Sequence, residues 1–237
     1  MHIAAIDYMA NNGDSFLHQA RPVTKVFISF LFLVCLIISS QIGKALVLLV
    51  IPIILILLSG VNLREVLHLA AYPLVFSLIF ALIRMQQSWI LGMLVLIKAL
   101  GAALNMLLLL ATTPYTDLFG VFSYVLPGVI VDVFLFTYRS LFILLDKLEN
   151  MVKSIRLRGG FHPMKLLFNL KNAAGALGVM TIHAFDMSER MYRIYSLRGY
   201  KGKIPVTRDW WPLRLVDGLL LLFSLIVLTG VLIPWNI

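Results

Sequence analysis

Residues 89–110 read WILGMLVLIKALGAALNMLLLL, a run in which Lys98 and Asn105 are the polar interruptions. A helix needs about 20 consecutive, mostly apolar residues to cross the hydrocarbon of a bilayer, and this run is long enough. Trp89 opens it at the place expected of an interfacial aromatic. Residues 23–40 and 43–59 read as a close helical hairpin turning at Gln41 and Ile42. Residues 70–83 form a third apolar segment, and 211–233 the last span. Between them 61–69, with Asn62, Arg64, Glu65 and His68, reads as a loop.

Composition points the same way. Of the 237 residues 61% are hydrophobic and 13% charged, with a mean hydropathy of +0.96. Soluble domains run at about 45–50% apolar and about 25% charged, so soluble enzymes, disordered chains and fibrous repeats are excluded. The reading is an all-α polytopic membrane protein with about five transmembrane helices plus long helices outside the bilayer. The first 20 residues are mixed and polar, without the continuous apolar core of a cleaved signal peptide.

The net charge of +9 is concentrated. The stretch from Lys147 to Arg214 holds 13 basic residues against four acids, and the remainder balances. Basic segments between spans are retained on the cytoplasmic side. That puts the C-terminus outside and, with four spans before the basic segment, the N-terminus inside. Such a segment also suits membrane lipid or an acidic protein. No binding module or basic–aromatic platform accompanies it, so nucleic acid is not the expected partner.

Thr112-Thr113-Pro114 ends the fourth span, because proline disfavours helical geometry in the residue before it. Residues 115–126 read as a short helix, with Pro127-Gly128 as the next break. In the long pattern 129–157, Asp132, Arg139 and Asp146 recur at seven-residue intervals on one stripe. The apolar first half, 129–145, is long enough to be considered a fifth full span, but the stripe argues for packing on protein or at the interface. Pro163 opens a further helical pattern to 197. Within it Ala173, Ala174, Gly175, Ala176 and Gly178 form a small-residue patch that lets another helix cross closely. A linker rich in Gly, Lys and Pro leads to the last span.

The basic segment contains an echo. Glu149-Asn150-Met151-Val152-Lys153-Ser154-Ile155-Arg156-Leu157-Arg158-Gly159 aligns without gaps on Glu189-Arg190-Met191-Tyr192-Arg193-Ile194-Tyr195-Ser196-Leu197-Arg198-Gly199. Each copy closes a helical pattern in Leu-Arg-Gly. Glycine just past a helix end takes the left-handed conformation cheaply, and the arginine meets the negative end of the helix dipole. One copy would be an ordinary cationic cap. Two copies read as a pair of arginine prongs aimed at a partner, since the planar guanidinium bonds carboxylates bidentately.

At these residues the chain resembles the transmembrane T component of energy-coupling-factor (ECF) transporters, the CbiQ/EcfT family. That family carries two Ala-Arg-Gly-like motifs at the ends of cytoplasmic coupling helices, matched here by Leu157-Arg158-Gly159 and Leu197-Arg198-Gly199, with leucine for alanine in both. Ser15-Phe16-Leu17-His18-Gln19-Ala20-Arg21-Pro22-Val23-Thr24-Lys25 is similar to its Ser-x-Leu-His-x-x-Asp-Pro-Arg-x-Lys opening, with departures at Arg21 and Val23. The opening residues, Asp7 included, look more like the cobalt/nickel (CbiQ) branch than the shared vitamin-transport branch.

The resemblance implies a subunit with no chemistry or cofactor of its own in the cell inner (plasma) membrane. Two cytoplasmic ABC-type ATPase subunits hydrolyse ATP, a membrane-embedded S component captures the substrate, and the T component couples them. On this reading 1–22 is a cytoplasmic arm, 23–112 a four-helix transmembrane region, 113–210 the coupling helices, and 211–237 the final span. The six residues of the two Leu-Arg-Gly motifs meet the ATPases.

The residues themselves agree that catalysis is not expected. Gly43-Lys44-Ala45 and Gly202-Lys203-Ile204 are fragments of a phosphate-binding loop without the partner residues. His2, His18, His68, His162 and His183 are dispersed, and the single cysteine, Cys35, lies in an apolar run, so no metal site is expected. The alternatives are a T component for a vitamin, or an intramembrane enzyme using Lys98, Asn105 or Asp132 and Arg139, since ionisable residues at membrane depth are functional candidates. A self-sufficient carrier would show inverted halves, whereas the echo lies in the basic segment.

Overall fold

The structure, a computed structural model, describes residues 2–13, 15–200 and 215–233. The linker 201–210 and the first residues of the last expected span, 211–214, lie outside the described residues. Among the described residues the regular elements are helices: α1 (His2–Asn12), α2 (Phe16–Gln19), α3 (Pro22–Ile38), α4 (Ile42–Leu58), α5 (Leu63–Met85), α6 (Trp89–Thr112), α7 (Tyr115–Phe122), α8 (Gly128–Leu157), α9 (Leu166–Leu197) and α10 (Leu215–Leu232). The protein is an all-α polytopic membrane protein. Arg64–Met85, Trp89–Thr112, Gly128–Leu157 and Leu215–Leu232 are long and apolar enough to cross a membrane. The apolar helices α3 and α4, with 17 residues each, stand at the short end of the spanning range.

The chain forms two compact units, Met1–Val121 with Thr207–Ile237, and Phe122–Val206. In the first, α6 packs against α3, α4 and α5, and α10 lies along α3. Leu17, Ala20, Ile56, Val66, Ala70, Leu104, Leu108 and Leu220 share one core cluster. Outward, α5 exposes Phe76, Ile79, Phe80 and Ile83, a surface that hydrocarbon accepts and water does not. The arm is more ordered than a polar tail, since α1 and α2 bury Ala10 and Leu17.

Residues 63–69 are not a loop but the first two turns of α5. Val66 and Ala70, four residues apart on one face, are buried in the core cluster. Their burial holds the turn helical, while Arg64, Leu67 and Leu69's polar neighbour His68 ride the remaining faces.

The second unit is built on α8 and α9, which run antiparallel: Phe136 meets Tyr195 and Ser140 meets Met191. None of the 32 residues of α9 is buried, and in α8 Val131 and Asp132 are. Helix α9 starts at Leu166 rather than at Pro163. The side chain of Asn169 takes both backbone groups of His162, its Oδ1 accepting the N–H at 2.8 Å and its Nδ2 donating to the carbonyl at 2.7 Å. That bracket holds 162–165 as a turn ahead of the helix.

Candidate functional site

The two Leu-Arg-Gly ends fold into the same cap. Gly159 and Gly199 both take positive φ, 72° and 77°. The N–H of Gly159 bonds Arg156 and that of Gly160 bonds Ile155, at 3.1 and 2.8 Å. In the second copy Gly199 bonds Ser196 and Tyr200 bonds Tyr195, at 3.1 and 2.9 Å. This is the Schellman arrangement, which satisfies the last free carbonyls of a helix. Arg158 and Arg198 are the cap residues of α8 and α9, one position beyond the last turn expected for them.

The charges repeat as well. Glu149 pairs with Lys153, and Glu189 with Arg193, each one turn apart. Each copy therefore neutralises its inner base within the helix. Among the described residues neither the Arg158 nor the Arg198 side chain has a hydrogen bond or ion pair, and both are exposed. Leu157 and Leu197 beside them are 88% and 89% exposed. Each end thus offers a free guanidinium next to an uncovered leucine.

Different side chains pin the two caps. At the first, Asn172 Nδ2 donates to the Gly160 carbonyl at 2.6 Å. At the second, the Tyr200 hydroxyl donates to Asp132 Oδ2 at 2.7 Å, while the rings of Phe136, Tyr195 and Tyr200 meet edge to face. Arg139 donates to the Tyr195 hydroxyl at 3.1 Å. Of the polar stripe, Asp132 is therefore buried against protein, while Arg139, though bonded to Tyr195, and Asp146 are exposed. The bond to Asp132 pushes the Tyr200 phenol above its ordinary pKa, with desolvation and the carboxylate's charge adding to it.

Ala173, Ala174, Gly175 and Gly178 lie on exposed faces of α9. A Cβ added at Gly175 or Gly178 meets nothing within 4 Å. The ring contact of Phe136 with Tyr195 and the hydrogen bond of Ser140 with Met191 lie nearer the other end of α9.

In the first unit the N-terminal motif is a buried polar node. His18 Nε2 contacts the Ala111 carbonyl at 3.3 Å and Nδ1 contacts Ser15 Oγ at 2.6 Å. A carbonyl can only accept, so Nε2 donates to it. Lys25 Nζ donates to the Thr112 carbonyl at 2.8 Å, closing the C-terminus of α6. The Arg21 N–H and the Thr24 hydroxyl both donate to Asp217 Oδ1 at 2.8 Å. Asp217, fully buried, escaped the reading of the sequence; a lone acid opening an apolar helix was its signal. Lys98 and Lys44 serve similarly, donating to the Ile37 carbonyl and to the Val231 and Ile233 carbonyls. Asn105 Nδ2 donates to Ser29 Oγ at 2.8 Å. Each polar group inside the spans that was a candidate for intramembrane chemistry here ties helices together. Among the described residues no three His, Cys, Asp or Glu side chains are grouped to hold a metal ion.

Comparison with known proteins bears on both units. The model of the CbiQ family, described as cobalt transport protein, matches residues 13–210, from the N-terminal motif through both arginine ends. An uncharacterized protein of Methanocaldococcus jannaschii is 33% identical over 119 residues, which are 48% of this chain and 42% of that protein. The chain thus spans less than half the length of this curated relative.

Proposed function

The chain belongs to the CbiQ family of cobalt transport proteins, and from that premise we propose that it is the transmembrane coupling (T) subunit of an ATP-driven ECF-type importer for cobalt or nickel ions. It takes no part in hydrolysis. Two cytoplasmic ABC-type ATPase subunits receive Arg158 and Arg198, one each, and a membrane-embedded S component carries the ion. Nucleotide-driven closure of the ATPases moves the two helix ends, and α8 and α9 pass that movement to the S component. The N-terminus is cytoplasmic and the C-terminus outside, in the plasma membrane. Ala173–Gly178 is the stretch of α9 where a helix approaches closely.

The observation that carries this reading is the identity of the two ends. Both copies have the same cap, the same internally paired base and, beside an exposed leucine, an arginine unpaired among the described residues. Two equal prongs suit two equal receivers. A desolvated guanidinium meeting carboxylates or carbonyls supplies both affinity and fixed orientation. The test is co-expression with ATPase and S-component candidates from the same genome, followed by purification on a tag carried by this chain. Recovery of an ATPase and ATP-dependent cobalt uptake in liposomes are expected. Recovery of no ATPase overturns the reading.

A further inference from the structure

The second cap carries a device that the first lacks. Tyr200 is held at both ends: its N–H closes the cap on the Tyr195 carbonyl at 2.9 Å, and its hydroxyl reaches Asp132 on α8 at 2.7 Å. Between them its ring lies 5.8 Å from that of Phe136 and 6.2 Å from that of Tyr195. Asp132 is 3% exposed although its helix is otherwise nearly all accessible. One glycine, Gly199, separates the pinned ring from Arg198. Helix ends open locally at little cost, and α9 has no buried residue to restrain its last turn. Whatever fixes Tyr200 therefore fixes the base of the arginine.

We propose that Tyr200 and Asp132 are positioning residues for Arg198, their hydrogen bond seating the end of α9 on α8 so that the guanidinium is presented at one place. Neither residue touches the partner. The proposal rests on the reading of Arg198 as an ATPase contact, and it names the groups that make that contact precise enough to transmit motion. The first end achieves the same through Asn172, which holds the Gly160 carbonyl at 2.6 Å.

The experiment uses the full chain with nitroxide labels on cysteines placed at Leu141 and Leu197, both exposed; Cys35 is buried. Tyr200→Phe keeps the ring and removes the hydroxyl, and Asp132→Leu keeps the size and removes the acceptor. Each should broaden the label-to-label distance distribution in the isolated chain. In unlabelled chains each should weaken ATPase binding roughly three- to tenfold, the net scale of one ordinary hydrogen bond. Neither should weaken it further in an Arg198→Ala background, because a positioning residue acts through the group it positions. Unchanged distance distributions in both variants, or losses that add to that of Arg198→Ala, overturn the proposal. Should Arg198→Ala bind the ATPase like the parent, the coupling reading fails, while the distance measurement still decides whether Tyr200 seats the helix end.

Discussion

The backbone N–H of Tyr200 donates to the carbonyl of Tyr195 at 2.9 Å, and Gly160 does the same to Ile155 at 2.8 Å in the other copy. The closing residue of the cap is thus an aromatic in one copy and a glycine in the other, around one hydrogen-bond pattern. The difference has a steric cause. A Cβ at Gly160 would stand 2.5 Å from Ile155 Cγ2 and 2.9 Å from the Ile155 carbonyl, so that loop admits no side chain. The second copy fills the equivalent position with a ring.

The cap glycines give a prediction that separates backbone strain from crowding. At Gly159 and Gly199 an added Cβ meets nothing within 4 Å, so the penalty of alanine there comes from φ alone. Left-handed backbone costs an ordinary L-residue roughly 1–2 kcal/mol. Gly199→Ala should lower the thermal midpoint in detergent, and Gly199→Asn should lower it less, because asparagine tolerates that region. Gly160→Ala should be destabilising through contact with Ile155, with Ile155→Ala in the same chain relieving part of it. Equal effects of alanine and asparagine at Gly199 would remove the conformational explanation.

Asp217 supports a second prediction. It is the acceptor shared by the Arg21 N–H and the Thr24 hydroxyl, at the N-terminus of α3 where negative charge is favoured. Asp217→Ala leaves buried donors without that acceptor, a loss of roughly 1–3 kcal/mol for each group stranded. Asp217→Asn should be milder, since its amide oxygen still accepts. Asp186→Asn, on the exposed surface of α9, should stay within about 0.5 kcal/mol of the parent. Unfolding in mixed micelles ranks the three, and an Asp217→Ala midpoint equal to that of Asp186→Asn would show the node to be incidental.

The order in which these features could be read follows the range of the interactions. The apolar runs and the Leu-Arg-Gly echo are local patterns, and the helices and caps stand where those patterns put them. The start of α5 was hidden because Arg64, Glu65 and His68 look like a loop when polarity is read alone; Val66 and Ala70 at helical spacing were the contrary signal, realised through packing on residues as distant as Leu104. The Tyr200–Asp132 bond joins residues 68 apart and the Thr24–Asp217 bond residues 193 apart. No periodicity announces such pairs. The stripe of Asp132 and Arg139 said that protein or water must face it, but not that two tyrosines would.

Tyr200 also has a titration signature. A phenol whose folded pKa lies above its unfolded value near 10 contributes stability that is complete below about pH 10 and is lost as pH rises through the folded value. Its bond to Asp132 raises it, so the α9 end should be insensitive to pH between about 6 and 9 and loosen above that window. Phenolate absorbance of the parent should contain a late-titrating component. Tyr200→Phe should delete it, and Asp132→Asn should move it toward the ordinary phenol range. A late component that survives Tyr200→Phe belongs to another tyrosine, and the link would be broken.

The arginines are the most direct test of the coupling role. Both guanidiniums lack a side-chain partner among the described residues, so no group among them is stranded when either is removed, and a loss of ATPase capture without a loss of stability reports on a partner. Truncating one member of a buried, hydrogen-bonded charge pair costs roughly 2–5 kcal/mol, about 30-fold to several-thousand-fold in affinity at 1.4 kcal/mol per decade. Arg158→Ala and Arg198→Ala should each weaken ATPase capture on that scale and abolish ATP-driven uptake, with membrane insertion and thermal midpoint unchanged. Lysine should restore little, because a point charge cannot reproduce the bidentate fork. Arg208→Ala, in the same basic segment and outside the repeat, serves as the control and should bind ATPase like the parent. Leu157→Ala and Leu197→Ala should cost less than the arginines, since they add apolar contact at roughly 25 cal/mol per Å² without the charge. ATPase pull-down and cobalt uptake across this series give the ranking. If the double variant of Arg158 and Arg198 assembles and transports, or if Arg208→Ala is as damaging as either, the two residues are solvated helix caps and the prongs have no receiver.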